Sequence, residues 1–134
     1  MSSYGLAVLA RDECEKLLRT QCVGRVAICS GHPAVLPVVY TVVDGDIVFR
    51  TAPGEKLIAA VLHRTVAFEA AAFDVDAHSG WSVNVVGPAE EIVHPDDVAR
   101  ARALDLRPWA GDVRDRFVRI RAEDVTGRRV EPAP

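Results

Sequence analysis

Residues 34–51 read Ala-Val-Leu-Pro-Val-Val-Tyr-Thr-Val-Val-Asp-Gly-Asp-Ile-Val-Phe-Arg-Thr, and this stretch decides the fold. Two β-branched runs, 34–43 and 46–51, flank Asp44-Gly45. That dipeptide marks a tight hairpin, because a two-residue turn that follows the strand twist needs positive φ at its centre. Both runs are apolar at odd and even positions alike, as in a sheet covered on two sides or closed into a barrel. Pro37 lacks an N–H and so belongs at a strand edge or an irregularity.

Working outward, Val23–Cys29 is a strand that reaches residue 34 through the turn Ser30-Gly31-His32-Pro33, giving a three-stranded antiparallel meander. Further strands are predicted at Thr65–Ala71, at Trp81–Val93 with a bulge or bend at Gly87-Pro88, and at Arg114–Arg121. Short helices are predicted over residues 11–20 and 55–62. A third opens at His94-Pro95-Asp96-Asp97, where proline suits the first helical turn and the aspartates suit the macrodipole. Asp74–Ser79 reads as a polar loop, Arg107–Gly111 as a connector and Glu131–Pro134 as a loose end. The expected fold is mostly β: a six-stranded antiparallel barrel with short helices. One domain spans 1–134, with its core in 10–122 and a C-terminal tail in 123–134.

The 134 residues carry a net charge of −3, with 49% hydrophobic and 26% charged side chains. That is the composition of an ordinary globular domain. The basic residues are interleaved with acidic ones, which argues against a nucleic-acid surface. Three cysteines, Cys14, Cys22 and Cys29, lack metal-ligand spacing, and the four histidines are far apart, so no metal site is expected and a reduced cytoplasmic protein fits. No charged segment followed by a long apolar run marks a leader. Residues 26–43 carry no formal charge, but Gly31, Pro33 and Pro37 interrupt them, so two strands explain the run better than a membrane span.

The candidate chemistry lies in Phe49-Arg50-Thr51-Ala52-Pro53-Gly54-Glu55-Lys56, at a strand-to-helix junction. A helix N-terminus offers unpaired N–H groups and a positive dipole end. Arg50, Thr51 and Lys56 would complete a phosphate cradle; the other reading is a solvated basic turn. Lys56 is one of only two lysines among sixteen basic residues. A Walker A loop is excluded because Leu57 follows the lysine where Ser or Thr is needed. No Rossmann glycine fingerprint and no Gly-x-Ser-x-Gly elbow occurs. Glu90 and Glu91, adjacent on a strand, point to opposite faces and make no catalytic pair. Asp74 and Asp76 are read as solvated, with a cation as the alternative. An anion cradle without an acid/base set suits a protein whose cofactor carries the chemistry.

Five segments resemble the FMN-binding split-barrel family, in the pyridoxamine 5'-phosphate oxidase-like branch that includes nitroimidazole-reductase-type proteins. They are Asp12–Leu18, Gly24–Ala27, Pro33–Tyr40, Ile47–Leu57 and Gly80–Ala89, in register over roughly residues 10–120. The resemblance implies a homodimer with FMN in a groove at the subunit interface. It places Pro37, Val38, Val39 and Tyr40 along the isoalloxazine ring, Phe49, Arg50 and Thr51 beneath the cofactor, and Lys56 on its phosphate. Trp81, Ser82 and Trp109 would close the site from the other subunit. The bland alternative for both tryptophans is core or interface packing, and for Tyr40 a barrel position with a satisfied hydroxyl.

The chain departs from the pattern at Arg50, where many nitroimidazole-reductase-like members carry histidine. It also lacks the C-terminal Arg/His segment with which true pyridoxamine phosphate oxidases hold substrate. The function implied is FMN-dependent hydride transfer to a small acceptor, with no catalytic residue assigned. The alternatives are a reductase using deazaflavin F420 and a non-catalytic cofactor-binding protein.

Overall fold

The computed structural model describes residues 6–29, 31–51, 61–104, 106 and 116–132. Eight strands are described: β1 (Leu6–Val8), β2 (Val23–Ile28), β3 (Ala34–Val43), β4 (Asp46–Thr51), β5 (Thr65–Asp74), β6 (Ser79–Glu91), β7 (Arg116–Ile120) and β8 (Asp124–Val130). The helices are α1 (Arg11–Leu18) and α2 (Pro95–Arg102). The helix expected over 55–62 lies mostly outside the described residues.

The sheet runs β1-β8-β6-β5-β2-β3-β4-β7, and a further β6–β7 pairing closes six of these strands into an antiparallel barrel. The six are the ones predicted from the sequence. The Asp44-Gly45 turn has both central residues at positive φ, 52° and 82°, and Val43 faces Asp46 across it, as the primed hairpin turn requires.

Inside the barrel, Val26, Tyr40, Ile47, Phe49, Phe68, Val83, Val85, Val118 and Ile120 form one continuous buried core. A second, smaller cluster of Val48, Ala101, Leu106 and Phe117 lies on the outer side of β4 and β7. Strand β4 is therefore covered on both faces, which is why its apolar residues do not alternate with polar ones. Helix α2 supplies that outer cover through Ala101. It opens at the predicted place with proline in the first turn, and its cap, not foreseen from the sequence, is His94, whose Nδ1 accepts from the Asp96 N–H at 3.2 Å.

Strand β6 is thirteen residues long and belongs to both halves of the molecule. Its first part pairs with β5 and β8, and its last residues pair with β7. The exchange falls at Gly87-Pro88. The strand does not break there; it changes partners. A Cβ on Gly87 would sit 1.7 Å from the Arg121 carbonyl oxygen, so only glycine lets the chain cross at that corner.

Two strands depart from the sequence reading. Residues 124–130, expected within a C-terminal tail, form β8, and Leu6–Val8 forms β1 on its far edge. The tail reading followed the polar Asp124, Thr126, Arg128 and Arg129. Strand β8 shows one face to solvent and so carries no two-sided apolar run. Its Gly127 leaves room for Cys14 and Leu9, with the Cys14 sulfur 2.6 Å from where a Cβ would be.

Candidate functional site

Seven of the predicted cofactor residues, Pro37, Val38, Val39, Tyr40, Phe49, Arg50 and Thr51, fall on two neighbouring strands, β3 and β4. Strand β3 changes partner part-way along. Residues Ala34–Val39 pair with β2, and Tyr40–Val43 pair with β4. The second edge of Ala34–Val39 has no strand partner among the described residues. Strand β4 likewise continues past its β3 register, so Arg50 and Thr51 pair only with Phe117 and Arg116 of β7. A gap thus opens in the barrel wall between the first half of β3 and the end of β4. Backbone N–H and C=O groups line one side of it, and a flat polar ligand can bond to such an edge without displacing a strand.

Alternation sorts the side chains at this gap. Pro37 is exposed and Val39 half-buried, on the outer face. Val38 and Tyr40 point into the core. The Tyr40 hydroxyl donates to the Leu18 carbonyl at 2.5 Å, and its ring meets Phe68 edge-on at 4.7 Å. Burial, with a smaller push from Cys22, raises the phenol well above its ordinary range. Tyr40 therefore serves the fold: its N–H donates to the Cys22 carbonyl at 3.0 Å, and its side chain anchors α1 to the barrel. Phe49 and Thr51 are fully buried.

Arg50 is the charged group at the gap. It is half-buried on the outer face of β4, and its Nη1 donates to the Leu106 carbonyl at 3.2 Å. Its guanidinium also lies 5.2 Å from the centre of the Phe117 ring, a cation–π distance. These contacts fix the direction of the positive charge. Lys56 and Trp109 lie outside the described residues.

Below Thr51, the register partner Arg116 is clamped to Glu91 of β6. Nε donates to Oε2 at 2.8 Å and Nη2 to Oε1 at 2.5 Å, a two-pronged ion pair. The arginine's hydrogen bonds hold the Glu91 carboxyl below its usual range, and the carboxylate raises the guanidinium in turn. Because Arg50 and Thr51 pair in register with Phe117 and Arg116, this clamp ties the end of β4 through β7 to β6. As the sequence predicted, Glu90 and Glu91 diverge: Glu90 instead accepts from Arg121 Nε at 2.9 Å. The clamp itself went unpredicted, because Glu91 and Arg116 are 25 residues apart and nothing local marks them as partners.

Trp81 and Ser82 lie at the start of β6, on opposite faces. Trp81 is 7% exposed and belongs to the barrel core, and Ser82 is half-buried. Trp81 faces Ala72 on β5 and Arg129 on β8 in register. No group of three or more His, Cys, Asp or Glu side chains able to hold a metal occurs among the described residues. Asp74 turns one carboxylate oxygen to the Ala77 N–H at 3.0 Å, capping the β5–β6 hairpin. Cys14 is buried, whereas Cys22 and Cys29 are exposed; all three are free thiols. Burial, then Glu13 and Asp12, raises the Cys14 thiol, which keeps it inert. No described helix is long and apolar enough to cross a membrane.

Comparison with known proteins agrees with this architecture. A family model described as pyridoxamine 5'-phosphate oxidase matches residues 10–129. An uncharacterized protein of Mycobacterium tuberculosis, Rv0080, is 40% identical over 135 residues, covering 96% of this chain and 88% of its own length. Among solved structures, an FAD binding protein from Mycobacterium smegmatis superposes with a TM-score of 0.82 at 32% identity, over 93% of this chain and 98% of that one. A conserved protein of unknown function from Corynebacterium diphtheriae gives 0.80 at 28% identity, over 94% and 98%.

Proposed function

Because the chain belongs to the pyridoxamine 5'-phosphate oxidase family of split barrels, we propose that it binds a flavin nucleotide in the gap between β3 and β4 and works as a flavin-dependent oxidoreductase. The observation that carries this reading is the backbone edge of Ala34–Val39, without a strand partner among the described residues, beside the guanidinium of Arg50. The edge suits the polar rim of an isoalloxazine ring, Val39 supplies apolar surface, and Arg50 supplies charge for the phosphate. Lys56 completes that cradle in the family pattern. The name of the Mycobacterium smegmatis relative supports a flavin. FMN is the cofactor proposed, since the cradle addresses one phosphate. FAD, which contains the same phosphate, and deazaflavin F420 are the alternatives.

A bound flavin supplies hydride transfer. The protein's own contribution is to bind, orient and exclude water. Arg50, held by Leu106 and Phe117, gives a positive charge on a planar guanidinium suited to a phosphate. It therefore serves as an anion contact. A homodimer is part of the proposal, with Trp81 and Ser82 approaching the cofactor of the other subunit.

Titration of the purified protein with FMN, FAD and F420, followed by absorbance and fluorescence, tests the reading. FMN is expected to bind saturably at a stoichiometry of one per chain, and the loaded protein to sediment at twice the chain mass. Arg50→Ala and Lys56→Ala are each expected to weaken FMN about tenfold or more, roughly the loss of one charge-assisted hydrogen bond. A protein that binds none of the three cofactors overturns the proposal.

A further inference from the structure

The two parts of the proposed cofactor site are anchored separately in the sheet. The ring-facing part, Ala34–Val39, pairs with β2. The phosphate-facing part, Arg50-Thr51, pairs in register with Phe117 and Arg116 of β7. Strand β7 in turn pairs with β6 from Val118 to Ile120, opposite Glu91 to Ala89. One more backbone bond follows, from the Ile92 N–H to the Phe117 carbonyl at 2.9 Å. Arg116 lies beyond these contacts. Among the described residues, the tip of β7 that faces Thr51 is therefore fastened to β6 by side chains, through the Glu91–Arg116 pair.

The pair has the geometry to hold a strand end. Nε bonds Oε2 and Nη2 bonds Oε1, and two such prongs fix the plane and direction of a guanidinium that a single bond leaves free to swing. Arg116 is 34% and Glu91 19% exposed, so the pair is partly withdrawn from the solvent screening that weakens surface ion pairs. Alternation places both on the inward face. Arg116 shares the side of Val118 and Ile120, and Glu91 shares that of Ala89, all three of them core residues. Thr51, in register with Arg116, faces the same way and is fully buried. Phe117, whose ring lies against the Arg50 guanidinium, is the neighbour of Arg116 in the chain. Moving the tip of β7 thus moves both described members of the phosphate cradle.

We propose that Glu91 and Arg116 are positioning residues for the phosphate of the flavin nucleotide, setting the place of Arg50 and Thr51 without touching the ligand. The inference rests on the flavin reading above and adds a division of labour to it. Pairing with β2 seats the ring edge, and the clamp from β6 through β7 seats the phosphate. A charge-assisted contact depends steeply on distance and direction. A strand tip that drifts therefore loses phosphate affinity, while the ring edge keeps its own.

The test compares FMN with riboflavin, which has the same ring and no phosphate, by fluorescence titration of the parent, Glu91→Gln and Arg116→Lys. Glutamine keeps the size of Glu91 and removes its charge. Lysine keeps the charge of Arg116 and gives up the second prong. The parent is expected to prefer FMN over riboflavin by about tenfold or more, the worth of one charge-assisted contact. Each variant is expected to lose most of that preference, with riboflavin affinity unchanged. The ratio of the two affinities is decisive, because a partly unfolded variant loses both ligands in equal proportion. A parent without preference, a ratio equal to the parent's in either folded variant, or tighter FMN binding as the freed arginine turns to the phosphate overturns the proposal and leaves the flavin reading standing. A parent that binds neither ligand overturns the proposal, and if FAD and F420 also fail to bind, the flavin reading falls with it.

Discussion

At the scale of single residues, Tyr40 shows how a position in a recognised segment can serve the fold through both backbone and side chain. Its hydroxyl satisfies the Leu18 carbonyl at the end of α1. Tyr40→Phe leaves that buried carbonyl without a partner and is expected to cost about 1–2 kcal/mol, measured by urea unfolding, with little effect on flavin affinity. The phenol also sets a pH dependence. Its folded-state pKa is raised, so the native state holds its proton where the unfolded chain has released it. The resulting stability is fully present below about pH 10, the ordinary tyrosine value, and is lost as pH rises beyond it. Unfolding midpoints of the parent are expected to fall through that alkaline range, and those of Tyr40→Phe to fall less. Equal alkaline slopes would refute this account.

At the scale of elements, the barrel corner in β6 concentrates the risk of mutation. A methyl group at residue 87 meets backbone atoms of Arg121 and not a side chain that can swing away. Gly87→Ala is expected to destabilise the protein by roughly 3 kcal/mol, at the upper end of overpacking costs, seen as a lower thermal midpoint. A smaller loss than at an exposed control such as Gly31→Ala would contradict the close crossing.

The same elements show what the sequence made legible. The six barrel strands were readable because each carries a dense apolar or alternating pattern bounded by turn residues. Strand β8 was not, since its arginines and single-faced burial imitate a tail, and β1 has only three residues, too few to display a period. The alternation of Val125, Gly127 and Arg129 on one face of β8 was the signal available. Candidate site residues could be named from local motifs, but the gap itself could not. It arises where β3 exchanges β2 for β4, and register is a property of pairing. The neighbours of Arg50 were equally hidden, because Leu106 is 56 residues away from it along the chain.

At the scale of the whole molecule, a closed barrel and an open outer sheet share one long strand. Closure removes the edges of six strands almost entirely. Among the described residues, the flanks without a strand partner include β1 on the outside, the end of β5 beyond Glu69, and the Ala34–Val39 flank where the proposed cofactor lies. Of the exposed large apolar residues among the described ones, Leu6, Val8, Val35, Phe73 and Val75 belong to β1, β3 or the β5–β6 hairpin, and Val93 lies between β6 and α2. The barrel interior, by contrast, is sealed by Phe49, Phe68 and Ile47 without exposure.

The double membership of β6 has a kinetic consequence. Val83–Val86 are flanked by β5 on one side and β8 on the other, so their amides donate alternately to the two neighbours and none of them faces an open edge. Hydrogen–deuterium exchange should find these amides protected by the full unfolding free energy. Amides directed toward the open flank of Ala34–Val39 should exchange orders of magnitude sooner and slow when FMN is added. Deuterium uptake would then record two clocks in a single small domain: the slower one set by a strand with a neighbour on each side, the faster one by a strand with a side still to be filled.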